Sequence, residues 1–200
     1  ITSYKGHTSY GFVKHGLSGK PDFAIFKRYD SGTDQWIAWH TNLNSTAGTA
    51  GQGDWIYFSK NSKKGFTDST DNTDWNGFNT ANADVNGETN GLTTTQIRPY
   101  EGSSWTGGGN MYHVCYAWKS KTGVSHFGSY EGVGDNNAMN STASALGFRP
   151  RFLMIKNIDD TGSWIIMDLS RNGTSRTVWY RNIQSNADGH QDINDAYNIN

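Results

Sequence analysis

The chain has 200 residues, of which 18% are charged and 34% hydrophobic, and its formal net charge is −1. This near-neutral balance excludes the basic surface with which nucleic-acid-binding proteins displace counterions from phosphates. No apolar run approaches the roughly 18 residues of a membrane span, so membrane insertion is not expected. The single cysteine, Cys115, excludes an intrachain disulfide framework and a multi-cysteine zinc site.

The rest of the composition predicts an all-β protein that works outside a cytoplasm. Aromatic residues make up 14% of the chain, with eight Trp, while Gly, Asn, Ser and Thr are abundant. Many turn-forming residues together with many aromatic core residues are typical of short strands joined by loops. Intrinsic disorder is not expected, since it goes with few aromatic residues and strong net charge.

Taken in chain order, the first 120 residues form a series of short predicted strands. The pattern indicates strands within residues 2–12, 23–26, 36–39, 55–58 and 91–97, with a loop-rich stretch over 59–95. The strongest strand signal covers residues 111–118. There Met111, His113, Cys115 and Ala117 are predicted to face one way, and Tyr112, Val114, Tyr116 and Trp118 the other.

A second, degenerate copy of residues 16–39 lies at residues 145–167. Its matches keep a spacing of 129 residues, in the pairs Leu17 and Leu146, Pro21 and Pro150, Phe23 and Phe152, Lys27 and Lys156, and Asp30 and Asp159. Matches in the same order over a long stretch indicate a tandem repeat. In each copy a proline precedes an apolar run, a turn and a second strand. Each copy is therefore predicted to hold a β-hairpin whose first strand is buried on both faces.

The repeat predicts the domain organisation. Residues 1–120 form a first β-sandwich repeat, 121–128 a linker, and 129–200 a second repeat. The strand that closes the first repeat has its counterpart at about residue 240, which the sequence does not include. Truncation of the second copy is the favoured explanation, and completion by a strand of a neighbouring chain is the alternative. The predicted fold is all-β, with tandem jelly-roll-like β-sandwich repeats of which the second is incomplete.

Three motifs carry a resemblance to a known family. They are Tyr-x-x-x-Tyr-Ala-Trp at residues 112–118, Gly-x-Ser-x-Phe-Gly-Ser-Tyr-x-Gly at 123–132 and Leu-Gly-Phe-Arg-Pro-x-Phe-Leu-Met-Ile-Lys at 146–156. Residues 112–171 resemble the repeated domain of tail-fibre-like proteins of marine podophages and cyanophages, and the first repeat matches more loosely. The resemblance implies a virion appendage protein, located on the virion and packed against other virion subunits. Trimerisation follows only by analogy with phage fibres.

No catalytic motif is visible. The chain has no nucleophile elbow, phosphate-binding loop or zinc-protease helix motif, and its six His do not fall in metal-ligand spacing. His113 and Cys115 are interpreted as a hydrogen-bonded sheet residue and a small core residue. The protein is therefore predicted not to be an enzyme. A polysaccharide depolymerase stays as an alternative, which requires two carboxylates roughly 5–9.5 Å apart in a cleft.

One acidic stretch, residues 68–77, resembles the start of a calcium loop. Asn72, Asp74 and Asn76 place oxygen-bearing side chains at alternate positions, and Gly77 supplies the turn. The twelfth position holds Ala83 instead of Glu, so the bidentate ligand is missing. A solvated loop is the favoured interpretation, no cofactor is expected, and a calcium site is the weaker alternative.

Aromatic residues in loops suggest a carbohydrate site. Trp75, Tyr100 and Trp105 lie in loops rich in Gly, Asn and Ser and are the candidate glycan-binding residues. Packing as loop anchors is the favoured interpretation of these three, and glycan binding is the alternative. Trp36, Trp118 and Trp164 fall in predicted strands and are expected in the core.

The sequence thus predicts a non-enzymatic phage virion appendage protein with a structural display role. Many weak sites on such an appendage would attach it to host-surface glycans through avidity. The alternatives are a secreted carbohydrate-binding module, which predicts coplanar exposed aromatic rings, and a purely structural protein, which predicts apolar faces between subunits.

Overall fold

The computed structural model describes residues 1–7, 13–31, 34–43, 56–58, 94–97, 107–131, 146–148 and 150–168, together with the backbone of four short strands between residues 178 and 198. Of the described residues, 41% are in strands and 3% are helical, which confirms an all-β protein. The helical part is the single 3₁₀ turn Thr41–Leu43. No described helix is therefore long and apolar enough to cross a membrane.

The first hairpin and its neighbours form a five-stranded antiparallel sheet. Its strands, in spatial order, are β1 (Thr2–Lys5), β7 (Tyr112–Trp118), β3 (Phe23–Arg28), β4 (Ile37–His40) and β5 (Ile56–Tyr57). Two further strands, β2 (Val13–Lys14) and β6 (Gln96–Ile97), pair separately. The apolar run of β3 is central and buried on both faces, as the sequence predicts.

The second hairpin forms a four-stranded sheet. It consists of β8 (Phe152–Ile155), β9 (Ile165–Asp168), β11 (Asn182–Gln184) and β12 (Gln191–Asp192), in that spatial order. A last pair joins β10 (Val178–Trp179) to β13 (Tyr197–Asn198). Both hairpins that the sequence predicts are therefore present.

The two hairpins share one register. Phe23 pairs with His40 and Phe26 with Ile37 in the first, while Phe152 pairs with Asp168 and Ile155 with Ile165 in the second. The agreement extends to the third strand, since Ile37 pairs with Tyr57 in β5 and Ile165 with Gln184 in β11. The tandem repeat as a whole, with its boundaries at residues 120 and 129, stays a prediction.

Each face of the five-stranded sheet carries its own apolar cluster. On one face Ala24, Phe26, Trp39 and Cys115 pack with Ile97 of β6. The other face carries Phe23, Ile25, Ala38, Leu43 and Ile56, which pack with the buried Trp164 that precedes β9. Met154 and Ile158 of the second hairpin contact this second cluster as well, so its packing joins residues of both predicted repeats.

Two burial predictions are wrong. Trp118, which was expected in the core, is 39% exposed and is the last residue of β7. Phe152 was expected to be buried on both faces like its counterpart Phe23, but it is 55% exposed. Its strand β8 lies at the end of its sheet in the described part of the chain. The expectation for Trp164 is confirmed, and Trp36 is half-buried.

Candidate functional site: the aromatic row on β7

An open row of side chains runs along one face of β7. Because successive residues of a strand point to opposite faces, Tyr112, Val114, Tyr116 and Trp118 share a side. The row spans roughly 20 Å, which is six steps of about 3.3 Å. It lies beside the part of the sheet that the second hairpin covers, and Tyr116 at its middle packs against that covered cluster.

The rings of this aromatic row are partly exposed and laterally offset. Tyr112 and Trp118 are 44% and 39% exposed, and Tyr116 is half-buried. The ring planes of Tyr116 and Trp118 lie within 16° of parallel, with centroids 6.2 Å apart. That separation is too long for a face-to-face sandwich, so the rings are offset. Neighbouring, nearly parallel rings of this kind can contact a flat apolar ligand surface.

A carboxylate from the end of β3 holds the Tyr112 end of the row. Asp30 Oδ2 accepts a hydrogen bond from the backbone N–H of Tyr112 at 3.0 Å. The Arg28 guanidinium donates to Asp30 Oδ1 at 2.5 Å, and its hydrogen bond is the main reason that the pKa of Asp30 lies below its usual value. Arg28 also lies 3.1 Å from Asp34 Oδ2. Asp30 is therefore a positioning residue for the first ring.

Two neighbours make the Tyr112 end amphipathic. The exposed ring of Tyr29 lies 6.0 Å from the Tyr112 ring. Lys5 Nζ lies 5.6 Å from the centroid of the Tyr112 ring, within cation–π range. A ligand at this end meets two phenol groups and one ammonium group.

A second carboxylate holds the Trp118 end of the row. Asp22, immediately before β3, donates its backbone N–H to Trp118 O at 2.9 Å, and its Oδ2 accepts from the backbone N–H of Ser120 at 2.6 Å. The ring of Trp118 stacks on the buried Phe23 at 5.5 Å. Both ends of β7 are thus tied to the ends of β3 by an aspartate, which fixes the spacing of the rings between them.

His113 and Cys115, on the opposite face of β7, are buried in the core. His113 is fully buried, stacks on Tyr4 at 5.3 Å, and its Nδ1 lies 3.1 Å from Met111 O. Burial raises the pKa of the Cys115 thiol to about 12. The interpretation of these two residues as a bonded sheet residue and a small core residue is confirmed, and neither has the exposure of a nucleophile or base.

The site residues predicted from sequence lie outside the described residues. This holds for the glycan candidates Trp75, Tyr100 and Trp105 and for the calcium candidates Asn72, Asp74 and Asn76. Both sets stay predictions. Within the described ranges, no group of three His, Cys, Asp or Glu side chains has an arrangement that could hold a metal ion.

Sequence reasoning missed the aromatic row although the signal was present. The alternation over residues 111–118 placed its members on one side of the strand, but an aromatic strand residue was assumed to be core. The signal that could have found the row is the contrast between the two faces. One carries His, Cys and Ala, which suit a tight interior, and the other carries two Tyr and a Trp, whose polar tips suit a wet surface.

The whole chain belongs to one protein family. The family model of a domain of unknown function, DUF7483, matches residues 1–199. No curated protein and no solved structure matches the chain.

Proposed function

We propose that this DUF7483 member is a non-enzymatic structural module of a phage virion appendage that attaches to host-surface glycans. The observation that carries the glycan part is the aromatic row on β7. The virion part rests on the resemblance of residues 112–171 to the repeated domain of tail-fibre-like phage proteins.

The row has the features that weak carbohydrate sites use. Sugar rings present apolar C–H faces that pack on aromatic rings, while their hydroxyl groups need hydrogen-bonding partners nearby. Tyr112, Tyr116 and Trp118 supply rings along an extended line, and Lys5 and the phenol of Tyr29 supply polar groups at one end. A linear site of this length suits an oligosaccharide better than a single sugar. Repetition of the module on an appendage would multiply a weak affinity.

A secreted carbohydrate-binding module is the second candidate, and the same row favours it. The two candidates differ in setting and not in the site. A virion appendage requires many copies in a symmetric array, whereas a secreted module acts alone or beside an enzyme.

A depolymerase has less support. The neighbouring carboxylates Asp30 and Asp34 are both bound by Arg28. Glycoside hydrolysis needs one carboxyl group that stays protonated near neutral pH. The Arg28 side chain instead lowers the pKa of Asp30, which is opposite to that requirement.

Glycan binding is tested with an array of bacterial capsule and lipopolysaccharide fragments, followed by titration of the best fragment. We expect Tyr112→Ala and Trp118→Ala each to weaken binding by about fivefold or more, since an aromatic contact contributes roughly 1 kcal/mol. Phe152→Ala is the matched control, because it removes an exposed aromatic ring from another sheet. We expect its affinity to equal that of the wild type.

The glycan proposal fails if no fragment binds at millimolar concentration, or if the control variant loses as much affinity as the row variants.

Cryo-electron microscopy of the native phage particle tests whether the protein belongs to a virion appendage. Copies arranged around a tail or fibre axis support the appendage. A chain found free of particles that still binds glycan through the row supports the secreted module.

A further inference from the structure

Among the described strands, none lies along the outer edge of β8, whereas the counterpart strand β3 has a neighbour on both edges. β8 pairs with β9 along one edge, and no described strand lies along the other. In the first sheet the equivalent strand β3 lies between β4 and β7. Since the two hairpins share one register, the position beside β8 corresponds to that of β7.

The side chains of β8 are also more exposed than those of β3. Phe23 is buried and stacks on Trp118 across the pairing of β3 with β7. Its counterpart Phe152 is 55% exposed, and the rest of β8 is half-buried where the matching residues of β3 are buried. An apolar strand with one bonded edge is a template for addition of another strand.

The repeat also indicates which backbone groups of β8 point to the open edge. In the first sheet Tyr29 follows the last pair of β3 with β7, and its N–H donates to Tyr112 O at 3.0 Å, across to the β7 side. Alternate residues bond to opposite edges, so odd-numbered residues of β3 face β7. At the repeat spacing their counterparts are Phe152, Met154 and Lys156. By this correspondence we infer that Phe152 and Met154 of β8, and Lys156 just beyond it, direct their N–H and C=O groups to the outer edge of β8.

We propose that the open edge of β8 is a docking site for an extended strand of the β7 type, which alternates bulky aromatic and small side chains as Tyr112–Trp118 does. The strand pairs antiparallel, with a Trp opposite Phe152 as Trp118 is opposite Phe23. The β7 strand of a second folded chain is not the donor, because β1 and β3 already occupy both of its edges. The occupant is therefore a strand with this alternation that is not already paired along both of its edges.

The test uses the whole chain and a synthetic peptide. The peptide has the sequence of residues 110–119 with Cys115→Ser, is capped at both ends, and is titrated while amide hydrogen exchange is followed by NMR. We expect the amides of Phe152, Met154 and Lys156 to exchange rapidly in the free chain and to become protected as the peptide binds. A peptide that also carries Tyr116→Pro is the control. In β7 the N–H of Tyr116 faces β3, and proline at this position has no N–H. The control peptide is therefore expected to give no protection of the Phe152, Met154 and Lys156 amides.

Two substitutions at one position separate backbone pairing from side-chain packing. Met154→Ala and Met154→Pro both remove the side chain, but only proline removes the outward N–H. We expect Met154→Ala to keep peptide affinity within about threefold of the wild type and Met154→Pro to lower it at least tenfold. If Met154→Pro does not fold, Phe152→Lys replaces it, because a charge at an exposed edge opposes strand addition without changing the backbone.

Three results would overturn the proposal. The first is unchanged exchange at Phe152, Met154 and Lys156 when the peptide is added. The second is equal peptide affinity of Met154→Ala and Met154→Pro. The third is protection of these amides in the peptide-free chain that rises with protein concentration, because it indicates pairing of β8 with β8 of a second chain. The proposal does not rest on glycan binding, and Tyr112→Ala and Trp118→Ala should leave peptide affinity unchanged.

Discussion

At the scale of single residues, His40 gives the protein a pH dependence. Burial lowers the pKa of His40, and the nearby His126 lowers it further, while Asp22 opposes the shift. The backbone N–H of Asn42 donates to His40 Nδ1 at 3.0 Å, which requires that nitrogen to be unprotonated. The folded chain therefore prefers the neutral imidazole more strongly than the unfolded chain does.

We expect this preference to appear as a loss of stability in mild acid. Because the pKa is lower in the folded state, the contribution of His40 is fully present above the ordinary value of 6.5 and decreases as the pH falls below it. Thermal unfolding between pH 7.5 and 5 should show a decrease in midpoint that is smaller in His40→Gln. Equal decreases in the wild type and the variant would contradict this role for His40.

Cys115 provides a second test at the same scale. Its pKa of about 12, against an ordinary 9.0, leaves about a thousandfold less thiolate near pH 8 than a free thiol would have. We expect iodoacetamide to label the native chain at least a thousandfold more slowly than the chain in urea. Rapid labelling of the native chain would mean that β7 opens frequently and that Cys115 is not held in the core.

At the scale of elements, β3 and β8 have the same sequence pattern but different neighbouring strands. Both are short apolar strands that follow a proline, and both pair with the next strand in the same register. They differ because β7 lies beside β3 and no described strand lies beside the outer edge of β8. The pattern alone therefore indicates a buried strand, while the burial achieved depends on a neighbour that is distant in sequence.

The contrast can be measured with one substitution in each copy. We expect Phe23→Ala to lower the free energy of unfolding by about 3–5 kcal/mol, because it removes a buried ring that lies against four other ring side chains. Phe152→Ala should cost less than about 1 kcal/mol, since its ring is half in solvent. Urea unfolding of both variants provides the comparison. Equal costs would mean that the exposed ring of Phe152 is covered in solution.

At the scale of the whole molecule, the sequence predicts local structure better than it predicts surfaces. Composition indicated the all-β class, and the repeated pattern indicated both hairpins, because strand alternation and turn residues act over a few positions. It indicated that both Trp118 and Trp164 are buried, which is right for Trp164 and wrong for Trp118. Both are Trp residues in or beside strands, and which of them is covered depends on how the second hairpin packs on the first sheet.

The indole of Trp164 has a consequence for how such modules are exchanged during evolution. Trp164 belongs to the second sequence copy, yet its Nε1–H donates to Tyr57 O at 2.9 Å and its ring lies 5.1 Å from that of Phe58 in the first. Recombination that cuts the gene between the two copies would remove a large ring from an interior and leave a carbonyl without its donor. We therefore expect the two segments to be inherited together, because the packing and the hydrogen bond of Trp164 join them.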